Sequence, residues 1–245
     1  MIPVPRIIPT YAEVVAAGGN WPIAQINLPG IPRGAVILLF DQDGLGEQSV
    51  ELMNGFAEQG YESLAADMTA VSPDLIDDDR VLEVLRSFVA QLEKRGWREE
   101  QIGIVGYGFG GRIALRAAAD LDLGAAVSVS PDGVARGTDV RPALVDDARP
   151  VTTPWLGMFG ADDEAAPIES VRLLAERLTD SSPAYTEVVT YPGVGDDFFR
   201  ESAEALGHAA MFDSRQRVME WLNLRVVPRQ SPFAEIWSLK EAMSD

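Results

Sequence analysis

The chain has 245 residues, 47% of them hydrophobic, which suffices for one α/β domain with a substantial core. Its formal net charge of −18 opposes nucleic-acid phosphates and anionic lipid head groups, and the absence of cysteine excludes disulfides, thiolate metal sites and a thiol nucleophile. The opening stretch MIPVPRIIPTYAEVV has no basic n-region and no run reaches transmembrane length, so a soluble cytoplasmic protein without membrane or nucleic-acid partners is expected.

Residues 1–33 carry six prolines and little periodicity, and read as an irregular arm with at most an edge strand near Ile23 to Leu28. GAVILLF, residues 34–40, is a continuous apolar run of the kind buried on both faces of a sheet. Leu52, Met53 and Phe56 have helical spacing between Gln48 and Gln59, Gly60 stops that helix, and Tyr61 to Ala66 is a second strand. Asp77 to Asp79 open a helix whose apolar stripe runs from Val81 to Leu92 and ends before Gly96. Ile102 to Tyr107 is a strand that passes through a glycine-dense turn into a helix around Arg112 to Ala119.

Ala125 to Ser130 and Trp155 to Phe159 continue the alternation of a parallel sheet, separated by a Pro- and Gly-rich connection, Asp132 to Val151, long enough to form part of a pocket rim. Pro167 suits a helix start, Tyr185 to Tyr191 reads as the last strand, and Met211 to Leu222 as the closing helix. Residues 228–245 form a C-terminal extension that packs on its own domain or covers a partner subunit, leaving monomer and homodimer open. The whole chain, 1–245, is read as a single domain.

The turn Gly106, Tyr107, Gly108, Phe109, Gly110 has the strand–turn–helix context of a nucleophile elbow, where a strained residue lifts its side chain above the sheet. Here that position is Gly108, which has no attacking atom.

In order along the chain, RGAVILLFDQDGLG, EQGYESLAADM, GIVGYGFGGRIAL, MFGADDEAAP and YPGVGDDFFR resemble the dienelactone hydrolase family over Arg33 to Leu222. The resemblance implies the α/β-hydrolase fold, a mostly parallel central sheet with helices on both faces. The family's GxCxGG elbow places Gly108 at the Cys position, its GxxDxxxP motif corresponds to Gly160, Asp163 and Pro167, and its GHxF motif puts Asp196 at the histidine. Asp41 takes the place of an acidic residue after the first buried strand, and Arg200 that of an arginine contacting the substrate carboxylate. The backbone N–H groups of Phe109 and Gln42 would be the oxyanion-hole donors, and Tyr107 and Phe109 would line or support the pocket.

Triad hydrolysis is therefore expected to be lost while a pocket survives. The family geometry would bring Asp163 and Asp196 into near contact, which is costly unless a proton or cation is shared. That favours an enzyme using carboxylates for isomerisation, cyclisation or elimination on a small organic molecule, anionic if Arg200 clamps it, with no cofactor and no metal. The competing readings are a ligand-binding or scaffolding protein without catalysis and a residual water-mediated hydrolase. Ser128 and Ser130 read as ordinary strand residues, Asp43, Asp162 and Asp197 as solvated, and His208 as a surface residue at a helix start.

Overall fold

The computed structural model describes residues 6–40, 44–68 and 77–230. Asp41, Gln42, Asp43 and most of the C-terminal extension, from 231 onward, lie outside the described residues. Eight strands make one sheet in the order β1-β2-β4-β3-β5-β6-β7-β8. They are β1 (Thr10–Ala16), β2 (Gly19–Ile26), β3 (Gly34–Phe40), β4 (Tyr61–Asp67), β5 (Ile102–Tyr107), β6 (Ala125–Val129), β7 (Trp155–Gly160) and β8 (Thr186–Tyr191). The strands from β4 across to β8 pair in parallel, and β1 and β2 are added antiparallel at one edge.

The α-helices among the described residues are α1 (Glu47–Glu58), α2 (Asp78–Glu93), α3 (Phe109–Asp120), α4 (Ile168–Ser181) and α5 (Ala205–Arg225). Two cores result, one under each face of the sheet. Leu85 and Phe88 of α2, Ile113 of α3 and Leu174 of α4 pack on one face, and Met53 and Phe56 of α1 with Val218 and Leu222 of α5 pack on the other. With both faces covered, all seven residues of β3 are buried, which is why that strand reads as an unbroken apolar run. Among the described residues no helix is long and apolar enough to cross a membrane.

The N-terminal arm departs from expectation. It holds a β-hairpin whose turn, Ala17 and Gly18, has positive φ at both residues (48° and 75°), the geometry that matches strand twist in two-residue hairpins. Alanine seldom adopts positive φ, so the turn carries no recognisable signature in sequence. α2 begins as expected: the Asp77 carboxylate accepts the Arg80 N–H at 2.8 Å, and Asp78 and Asp79 lie in the positive first turn. α3 starts three residues before Arg112, directly out of the elbow. The first residues of the C-terminal extension pack back on the domain, where the Arg229 guanidinium lies 3.7 Å from the centre of the Trp97 ring.

Buried polar groups pin the lower edge of the sheet. The Glu62 carboxylate in β4 is buried and accepts from Arg95 at 2.8 Å, from Trp97 Nε1 at 2.9 Å and from the Leu28 N–H at 3.1 Å, so its burial is compensated. At the upper edge, β5 and α3 cross so closely that a Cβ at Gly106 would overlap the backbone of Gly110. Gly106→Ala is therefore expected to cost about 1–3 kcal/mol. Urea unfolding checks this, and an unchanged midpoint would show that the crossing is less tight than described.

Candidate functional site

The elbow follows from backbone geometry. Gly108 sits at φ 55° and ψ −119°, a strained conformation for any residue with a side chain. Three backbone hydrogen bonds hold it there: its N–H donates to Val129 O at 3.0 Å, and its carbonyl accepts from the N–H groups of Arg112 and Asp132, both at 3.1 Å. A cleft of about 100 Å³ opens beside it, lined by Ser130, Asp132, Asp163, Asp196, Asp197, Phe199 and Arg200 as well as Gly108.

Sheet order accounts for the meeting of Asp163 with Asp196. β7 and β8 are neighbours, and the loops leaving them are tied together by Ala161 N–H to Tyr191 O at 2.8 Å and Asp162 N–H to Val194 O at 3.0 Å. Asp163 accepts the Ala165 N–H at 2.7 Å within its own turn, Asp196 is exposed, and both line the cleft.

The other expected residues divide. Arg200 lines the cleft with its guanidinium 5.4 Å from the centre of the Phe199 ring. Phe109 does not line it: this first residue of α3 is buried in the core on the α2 side, beneath the Arg141 guanidinium at 4.5 Å. Tyr107 points into the opposite core, where its ring stacks on Phe40 with centroids 5.5 Å apart and meets Phe199 at 5.1 Å. It borders a second cavity of about 60 Å³, which shares Phe199 and Arg200 with the cleft. His208 is exposed in the first turn of α5, and Ser128 is structural, donating to Gly111 O and accepting from Trp155 Nε1.

Ser130 is the residue that strand patterning passes over. It lies just past the end of β6 at φ 46°, an uncommon conformation for a residue other than glycine, and its hydroxyl has no hydrogen-bond partner among the described residues. Backbone strain of this kind leaves no trace in residue identity. Asp197 also lines the cleft, and is exposed as expected.

The cleft thus combines carboxylates able to accept or return a proton, one guanidinium, one hydroxyl and a floor without a side chain. Among the described residues no group of three or more metal-ligating side chains is placed to hold a metal ion.

Residues 24–225 match the dienelactone hydrolase family. Two similar proteins are named "Putative carboxymethylenebutenolidase". The one from Escherichia coli strain K12 is 26% identical over 238 residues, 88% of this chain and 86% of the relative. The one from Salmonella typhimurium strain LT2 is 28% identical over 229 residues, 86% and 80% of the two chains. Among solved structures, a "Putative Dienelactone Hydrolase" from Klebsiella pneumoniae superposes with a TM-score of 0.73 at 24% identity, over 88% of this chain and 98% of that one. The propionate-bound esterase 2 of Thermogutta terrifontis superposes with a TM-score of 0.71 at 17% identity, over 91% and 97%.

Proposed function

The chain belongs to the dienelactone hydrolase family, and from that premise we propose that it performs proton transfer on a small organic molecule in the cleft above Gly108, without a covalent acyl-enzyme. The observation that carries this reading is that Asp163, Asp196 and Arg200 line one cleft whose floor at Gly108 has no side chain. One carboxylate takes a proton from a carbon next to a carbonyl, the electron pair moves onto the carbonyl oxygen as an enolate, and the acid so formed returns the proton at another position. Such positioned proton transfer contributes about 10²–10⁴ in rate.

Charge orients the molecule. Asp132, Asp163, Asp196 and Asp197 outnumber Arg200 around the cleft, so an anionic group is disfavoured directly over Gly108. Arg200 also borders the neighbouring aromatic cavity, which supports placing the anionic end on that side and the reacting C–H among the carboxylates.

Phenylpyruvate in D₂O is a suitable probe, because exchange of its methylene hydrogens is read directly by proton NMR. The protein is expected to accelerate exchange, and Asp163→Asn and Asp196→Asn are each expected to lower the rate by about 10²–10⁴. Exchange that persists unchanged in both variants, or saturable binding with no exchange, would remove the reading, and the latter would favour a ligand-binding protein.

A further inference from the structure

The cleft above Gly108 holds only about 100 Å³, whereas sites for small organic ligands usually occupy about 300–1,000 Å³. The missing volume lies next door. A trough of about 350 Å³ runs between α1 and α5 and shares Leu52, Tyr107, Arg215 and Val218 with the cavity that borders Arg200 and Phe199. Stepping through these shared residues, the space leads from Gly108 past Arg200 and Phe199 to Tyr107 and Arg215.

Two features of this trough call for a ligand. The first is Tyr107, a side chain more than nine-tenths buried whose hydroxyl has no hydrogen-bond partner among the described residues although its ring borders both cavities. The fully buried polar atoms that lack a partner do not include this hydroxyl, so it reaches open space and is available as a donor to a ligand acceptor. Burial pushes this phenol up to about 12 against the smaller opposing influence of Arg215, so it remains a donor through the physiological range. The second is the shape and charge of the walls. Leu52, Phe56, Tyr107, Val218 and Met219 give the trough apolar walls that suit a flat apolar body, and the Tyr107 ring continues as a stack on Phe40 in the adjoining cavity. Arg215 is exposed on α5 and makes no ion pair among the described residues, while Glu51 and Glu58, both on α1, border the same space and leave only its α5 side, at Arg215, for an anion.

We infer that the trough between α1 and α5 is the main ligand-binding volume of this protein, and that it takes a flat apolar acid whose carboxylate is received by the Tyr107 hydroxyl and the Arg215 guanidinium. It rests on the proton-transfer reading only for what happens at the other end of the ligand, over Gly108.

Cinnamate, a flat acid with no exchangeable carbon-bound hydrogen, tests the trough apart from the chemistry, with cinnamamide as its uncharged counterpart. Calorimetric titration is expected to show saturable cinnamate binding, weaker binding of cinnamamide, about a tenfold loss in Tyr107→Phe and a smaller loss of about threefold in Arg215→Gln, whose charge is solvent-exposed. Leu52→Trp, which fills the trough, is expected to abolish binding. Matching thermal unfolding of each variant and the parent establishes that the losses are local. Equal cinnamate affinity in the parent, Tyr107→Phe and Arg215→Gln overturns the inference, as does absence of saturable binding below about 10 mM. Binding that responds to Tyr107 and Arg215 without phenylpyruvate exchange would leave the trough standing and remove only the proton-transfer reading. Exchange with no response to Tyr107 or Arg215 would do the reverse.

Discussion

Activated esters such as p-nitrophenyl acetate are expected to be cleaved by this protein roughly a millionfold more slowly than by an intact triad enzyme, with no acyl-protein intermediate. Gly108 offers no atom to attack with, and the only imidazole in the sequence, His208, is exposed on the first turn of α5 and does not line the cleft. Gly108→Ser restores a hydroxyl but places a side chain at φ 55°, at a cost of about 1–3 kcal/mol, and still lacks a base of suitable strength. It is expected to remain without ester turnover, while Gly108→Cys combined with Asp196→His recovers a trace. Stopped-flow kinetics with mass spectrometry of the intact chain decide the matter. A burst of p-nitrophenol with an acetyl adduct on the parent protein would overturn the proton-transfer reading, and an adduct mapped to Ser130 would identify that strained hydroxyl as the nucleophile instead.

Asp78→Ala is expected to destabilise the fold by about 3–5 kcal/mol, a large share of the 5–15 kcal/mol that holds a typical domain together. The Asp78 carboxylate accepts from Arg112 at 3.0 and 2.7 Å and from Arg116 at 3.1 Å, and both arginines are only 2% exposed. Arg112 also donates to Pro142 O at 2.8 Å, and Arg116 donates to Asp147 O at 2.7 Å and lies 2.7 Å from the Asp147 carboxylate, so this cluster fastens α2 and the loop after β6 onto the helix that leaves the elbow. Removing the carboxylate leaves two guanidinium groups buried with too few partners. Urea unfolding measures the loss, and a change under about 1 kcal/mol would show that water reaches the arginines.

The same cluster predicts a pH dependence. Burial pushes the Asp78 carboxyl up, but the hydrogen bonds and charges of Arg112 and Arg116 together outweigh it and hold the group below its ordinary value. Because the folded value is the lower one, the stabilisation is fully present above the unfolded value of about 3.9 and is lost as pH falls through the folded one. Asp78→Asn should abolish that part of the acid sensitivity.

The alternation of buried strands with amphipathic helices and the elbow were legible in the sequence, because each depends on residues close together in the chain, while Asp163, Asp196 and Arg200 were singled out only by the spacing of the family's motifs. β3 and β5 are apolar throughout since both of their faces are covered, and Gly60 and Gly96 end helices at φ 83° and 82°, where glycine alone escapes a steric penalty. The hairpin at Ala17 and Gly18, the strained Ser130 and the burial of Arg112 and Arg116 were not legible. An alanine or serine at positive φ looks like any other, and two arginines in GGRIALRAAAD announce burial only once Asp78, distant in the chain, is seen beside them. Tertiary structure alone decided that Phe109 turns into one core and Tyr107 into the other, and that Asp163 and Asp196 share a cleft with Ser130. Residues on either side of a sharp turn diverge to opposite sides of the sheet, and which loops meet above it is set by the order of the strands they leave.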